Sequence, residues 1–221
     1  MVNVTEGREA AERRLILSYA PAPARAGVAA VLSLDDTLGH ILRTTREPLV
    51  GQMRLTWWHE ALVALDGAPA PAEPVLRALA ASVLPRGVPG ATLAGVVEGW
   101  EALLEPLDPD AIGRAAAARG GMLFRALSRV LGASDARVAE AGRGWALADL
   151  ARGLSDPTLA NWAAAQGAAV LDAALAGRWP RRLRVIGALA MGARLDLIRP
   201  GEPAASPRRV GRLLIHRLTG R

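Results

Sequence analysis

The spacing of its breaks constrains this chain more than any other feature. Breakers fall at Pro21-Ala-Pro23, Asp66-Gly67, Ala68 to Pro74, Pro85 to Gly90, Pro106 to Pro109, Pro157, Pro180, Pro200 and Pro207. The stretches between them read with helical period, and none alternates with strand period over any length. The expected helices are Thr5–Ala20, Ala24–Thr45, one from Pro48 to Leu65, Glu73–Leu84, Ala91–Glu105, Asp110–Leu131, Ser134–Leu154, Thr158–Ala176, Arg182–Ile198 and a last from Pro207. Thr5 and Asp108 suit caps, Pro48 suits a first turn, and Gly120-Gly121 should kink the sixth helix. The expectation is an all-α bundle of about ten helices, residues 1–221 forming a single domain.

Composition agrees. Apolar residues are 51% of the 221, drawn mainly from Ala and Leu, which favour helix. Cysteine is absent, so disulfides and thiolate metal sites are excluded. The basic residues are all Arg, so the sequence pI of 11.2 overstates a formal charge of only +6. That charge permits an anionic partner without demanding one, and no nucleic-acid partner is expected. The N-terminal residues are polar and lack the apolar centre of a signal peptide. Val185 to Ala193, the longest apolar run, falls well below the ~20 residues that span a bilayer. A cytoplasmic protein, soluble or peripheral on the inner membrane, is expected.

The segment REPLVGQMRLTWWHEALVAL, Arg46 to Leu65, carries an adjacent Trp pair. Phased on Val50, one face collects Met53, Trp57, Ala61, Ala64 and Leu65, widened by Trp58 and Leu62. Arg54 falls inside this arc, so it should turn inward and meet a carboxylate, an indole face or an anionic ligand in a cavity. Asp35 is a candidate partner. Trp57 and Trp58 are candidate cavity residues.

Two acidic groups stand out. Asp35-Asp36 could hold Mg²⁺ and, through it, a diphosphate. Only one of them can look inward; Asp36 groups with His40 and Arg43 on a solvated face, and Asp35 lies at the apolar edge, where it could pair with a buried Arg. Asp149 and Asp156 are seven residues apart and share a face if the helix persists, too far apart for one ion. His40, His59 and His216 have no ligand spacing, and phosphate-loop and hydrolase motifs are absent. In the last helix, Val210, Leu213, Leu214 and Leu218 form one face and Arg209, Arg212 and His216 the other, a pattern suited to an anionic membrane surface or to docking on the bundle.

Three segments taken together resemble the squalene/phytoene synthase family. ERRLILSYAPAPARAGVAAVLSL is similar to its opening helix, "AP…R" break and second helix. REPLVGQMRLTWWHEALVAL resembles the "SEP-LGE-RL-WW-AL" pattern of one branch. AGRGWALADLARGLSD resembles a later "G-A-L-N-LRD" segment. The resemblance implies an isoprenoid-synthase-like fold. It also implies condensation of prenyl diphosphates by Mg²⁺ held between two Asp-rich motifs on facing helices. The sequence departs at both motifs. The first motif's acids should fall near Gly39, His40 and Arg43, but Asp35 and Asp36 lie one turn earlier. The acidic position after Arg152 is Gly153. The branch with the Trp pattern includes assembly factors of respiratory complex I. The expectation is therefore a catalytically degenerate member, a binding or assembly factor near a membrane, with no cofactor. Its partners would be a prenyl diphosphate or apolar ligand, a membrane surface through residues 207–221, or a respiratory-complex subunit. An active transferase would instead use Mg²⁺ at Asp35, Asp36 and Asp149. An unrelated helical adaptor is the third reading.

Overall fold

A computed structural model describes residues 4–45, 47–104 and 106–221. Eleven α-helices follow in order: α1 (Val4–Leu17), α2 (Arg25–Thr44), α3 (Pro48–Ala64), α4 (Pro74–Ser82), α5 (Gly90–Glu101), α6 (Pro109–Ala116), α7 (Met122–Val130), α8 (Val138–Gly153), α9 (Pro157–Leu175), α10 (Arg184–Ile198) and α11 (Pro207–Thr219). A π-turn, Ala117–Gly121, joins α6 to α7 without a break, which makes ten rods. The interruption expected at Gly120-Gly121 is this turn. Among the described residues there is no strand, and no helix is long and apolar enough to cross a membrane.

The helix starts follow from local chemistry. Proline opens α3, α4, α6, α9 and α11, where its missing N–H is not needed. Asp108 caps α6 as expected, accepting from the Ala111 N–H at 2.6 Å. Asp66, which closes α3, accepts from the Gly90 and Ala91 N–H groups at 2.6 and 3.0 Å and so caps the distant α5. Thr5 already lies within α1, and its side chain is outside the described residues.

The central helix is α8, which packs on α9, α10, α6, α7 and the π-turn; α3 lies on α5, and α2 on α4 and α7. One large apolar cluster runs through the bundle from Ile16 to Leu213. A smaller one joins α6, α8 and α9 through Ile112, Leu147 and Ala163. The helix α11 docks on α10.

Three expectations need correction. The buried face of α3 is Gly51, Leu55, Trp58 and Leu62, not the Val50 face. Val50, Met53 and Trp57 are exposed, and Arg54 is exposed with them, donating from Nη1 to Thr45 Oγ1 at 3.2 Å. The helix is apolar nearly all round, so period alone does not fix its phase. In α11 the buried face is Arg209, Leu213 and His216, while Leu214, Ile215 and Leu218 face outward. The buried Glu12 and the half-buried Asp196 seat Arg209, an outcome that hydrophobic phasing excludes by construction. Finally, Asp149 and Asp156 do not share a helix: α8 ends at Gly153, and Asp156 caps α9 through the Thr158 and Leu159 N–H groups.

Candidate functional site

Two arginines are buried among the described residues, Arg119 and Arg209, and Arg119 lies in the π-turn. Arg119 is 3% exposed and held by two carboxylates from different helices. Its Nε and Nη2 donate to Asp35 Oδ1 and Oδ2 at 2.7 and 2.8 Å, a two-pronged pair with α2. Its Nη1 donates to Asp149 Oδ2 on α8 at 2.7 Å. The guanidinium carbon lies 3.8 Å from the ring centroid of Trp100 on α5 and 4.9 Å from that of Trp145 on α8. Trp100 also donates its indole N–H to Asp35 Oδ1 at 3.0 Å.

Local backbone packing puts Arg119 there. Gly120 and Gly142 touch backbone to backbone, and a Cβ on either would overlap the other's carbonyl oxygen. That contact brings the π-turn and α8 to minimum distance. A π-turn also winds wider than an α-turn, so its residues leave the phase of the flanking helix. Arg119 thereby reaches between α2 and α8.

From Asp149 the charges continue as an alternating ladder. Asp149 Oδ1 accepts from Arg152 at 3.2 Å, and Arg152 donates to Asp196 at 3.0 Å. Asp196 accepts from Arg209 at 2.6 Å, and Arg209 closes on Glu12 with bonds of 2.9 and 2.6 Å. Glu12 also takes the Ala205 N–H at 2.7 Å, with Ala205 at φ 53° in the left-handed region. Seven charged side chains thus tie α1, α2, the π-turn, α8, α10 and α11 together.

Burial alone would favour neutral groups, but the pairing outweighs it. Burial would lower the pKa values of Arg119 and Arg209, yet Asp35 and Asp149 raise the first, and Glu12 and Asp196 raise the second. Burial would raise Asp149, yet Arg119 and Arg152 hold it below the usual carboxylate range. Glu12 is lowered in the same way by Arg209 and the Ala205 N–H.

The ladder lines a cavity of about 600 Å³ with Ile16, Leu32, Leu189, Trp100 and Trp145 as its apolar wall. Eight carboxylates and five arginines line it. Of the candidates from the sequence, Asp35 and Asp149 meet here through Arg119. Asp36 sits at the rim, paired with Arg13 at 2.7 Å. Arg54, Trp57 and Trp58 do not reach the cavity: Trp58 is in the core, and Trp57 is 46% exposed with its ring edge-on to Trp58. Sequence reasoning missed Arg119, Trp100, Trp145 and Arg209. One signal was available for Arg119, a lone charge in Ala115-Ala-Ala-Ala-Arg-Gly-Gly121.

The carboxylates of Asp35 and Asp149 are already committed. Both oxygens of Asp35 accept from Arg119, and the two oxygens of Asp149 accept from Arg119 and Arg152. Among the described residues, no cluster of three or more His, Cys, Asp or Glu could hold a metal ion. A family model for squalene/phytoene synthase matches residues 8–162, a span that includes Asp35, Arg119 and Asp149. No curated protein and no solved structure matches the chain.

Proposed function

The chain belongs to the squalene/phytoene synthase family, and from that premise we propose that it is a catalytically degenerate member, acting as a binding or assembly factor near a membrane. Membership removes the unrelated-adaptor reading and accords with the all-helical, isoprenoid-synthase-like fold. The observation that carries the proposal is Arg119. It lies between carboxylates on facing helices, the kind of place where the family's enzymes hold Mg²⁺, and its positive charge is covalently part of the chain. Ionisation of a diphosphate needs several carboxylates free for metal. Asp35 and Asp149 do not fit that role while each is saturated by arginine.

The cavity lining argues the same way about ligands. Eight carboxylates against five arginines repel a metal-free diphosphate. An apolar molecule or a segment of a partner protein, such as a respiratory-complex subunit, suits it better. We place the chain as one functional unit on the cytoplasmic side of the inner membrane.

One observation favours the runner-up, an active Mg²⁺-dependent transferase: Asp35 and Asp149 do face one cavity from separate helices. Incubation with farnesyl or geranylgeranyl diphosphate and Mg²⁺ decides between them. The degenerate reading expects no diphosphate release. Turnover that disappears in Asp35→Asn or Asp149→Asn would overturn it.

A further inference from the structure

We infer that α11 docks the protein on a bilayer rich in anionic lipid. The inference sharpens the membrane half of the reading above and rests on surface chemistry independent of the cavity. Because Arg209, Leu213 and His216 hold α11 to the bundle, the opposite side of the helix is fixed outward. That side presents Leu214, Ile215 and Leu218, the last 78% exposed. At 100° per residue, Arg208 and Arg212 lie on one flank of this ridge and Arg217 on the other.

Each flank opens into a basic recess. On one side Arg217 joins Arg181 and Arg184 beside Ser18, Tyr19 and Leu218, around about 500 Å³. On the other, Arg208, Arg212 and Arg221 join Arg194 and Arg199 beside Ile198, around about 640 Å³. Asp172 is the single acidic side chain that the described residues place in either lining, and it accepts from Arg194. Among the described residues, the other seven arginines pair with no carboxylate. Eight arginines against one aspartate leave a surplus of seven, while the whole chain carries only +6. The protein's net positive charge is therefore concentrated on this face, and the rest of the chain is close to neutral.

An apolar ridge between arginine-lined recesses matches a lipid interface: aliphatic side chains enter the acyl boundary and guanidinium groups meet the phosphates. A nucleic acid would accept the arginines, but it offers nothing to three exposed aliphatic side chains on the crest.

Vesicle flotation with the full chain tests this. Deleting α11 is unsuitable, because it would also strip Arg209 and His216 from the bundle. Two surface variants serve instead: Arg208→Gln/Arg212→Gln/Arg217→Gln, and Ile215→Gln/Leu218→Gln. Each is checked first for an unchanged circular dichroism spectrum. The wild type should float with phosphatidylcholine vesicles containing 30 mol% phosphatidylglycerol, and not with pure phosphatidylcholine. The arginine variant should lose on the order of 100-fold in affinity, at about 1 kcal/mol per arginine, and the apolar variant should also weaken. Absence of binding, equal binding to neutral vesicles, or insensitivity to either variant overturns the inference. So does binding of duplex DNA that depends on the arginines and ignores Ile215 and Leu218. No prenyl substrate is present, so failure here is read separately from failure of the non-catalytic reading.

Discussion

Arg119 and Asp35, 84 residues apart in sequence, meet through two parallel hydrogen bonds of 2.7 and 2.8 Å, both side chains almost wholly out of water. Removing one partner of such a pair strands a charge that is almost wholly out of water. Arg119→Met leaves Asp35 buried and Asp149 half-served, at an expected cost on the order of 3 kcal/mol in urea unfolding. Asp35→Asn should cost less, since Asp149 still neutralises the guanidinium. The double variant should be more stable than the sum of the singles implies, and strict additivity would contradict a direct pairing.

Arg54→Ala is expected to change stability by no more than about 0.5 kcal/mol, because the side chain is exposed and its bond is to a threonine hydroxyl. Arg209→Met is the contrast. It breaks bonds to Glu12 and Asp196 in a buried position and should lower stability by several times as much. The same chemical denaturation series measures both.

Gly120→Ala should be among the most damaging small substitutions in the chain. The new methyl group would overlap a backbone carbonyl of α8, which cannot move aside as a side chain can. A loss of several °C in Tm is expected, along with disturbed near-UV signal from Trp145. Gly211→Ala, on α11 with nothing within 4 Å of its new Cβ, should instead raise stability by about 0.5–1 kcal/mol through helix propensity.

Stability should fall on acidification in two stages. His216 is fully buried, and burial, then Arg184 and Arg212, hold its pKa below the ordinary value against the opposing backbone bonds. The unfolded chain therefore takes up this proton first. The stabilisation is complete above about pH 6.5 and is lost as pH drops toward the folded-state value. Asp149 and Glu12, both lowered by their arginines, add a second loss below about pH 4. Urea midpoints at pH 7.5, 5.5 and 3 should show both stages. In His216→Gln the first should vanish and the second remain.

The rods were legible in the sequence because breakers act locally: Pro48, Asp108, Pro157 and Pro207 each start a helix wherever the rest of the chain goes. Facing was less legible. Helix α3 is apolar on most of its circumference, so the choice between the Leu55–Trp58 and Met53–Trp57 faces was made by α5, not by α3 itself. The site was half legible. Asp35 could be singled out as an inward-leaning acid and Asp149 as a candidate site residue, and a buried arginine could be anticipated as a partner for Asp35. Its identity could not, because Arg119 reaches Asp35 only through a backbone contact between two glycines and a turn of non-standard width.

That turn also has a bearing on inheritance. A rod with a π-turn holds one residue more than a straight helix needs to join the same two seats. Losing a single codon within Ala117–Gly121 is expected to return the rod to α-helical phase with α6 and α7 still seated on α8, and so to draw Arg119 away from its place between the aspartates. The bundle and its resident cation are therefore separable by the smallest in-frame deletion a gene can suffer. Between relatives, a one-residue gap at this point would mark which chains carry their own positive charge between the aspartates and which must obtain it from solution.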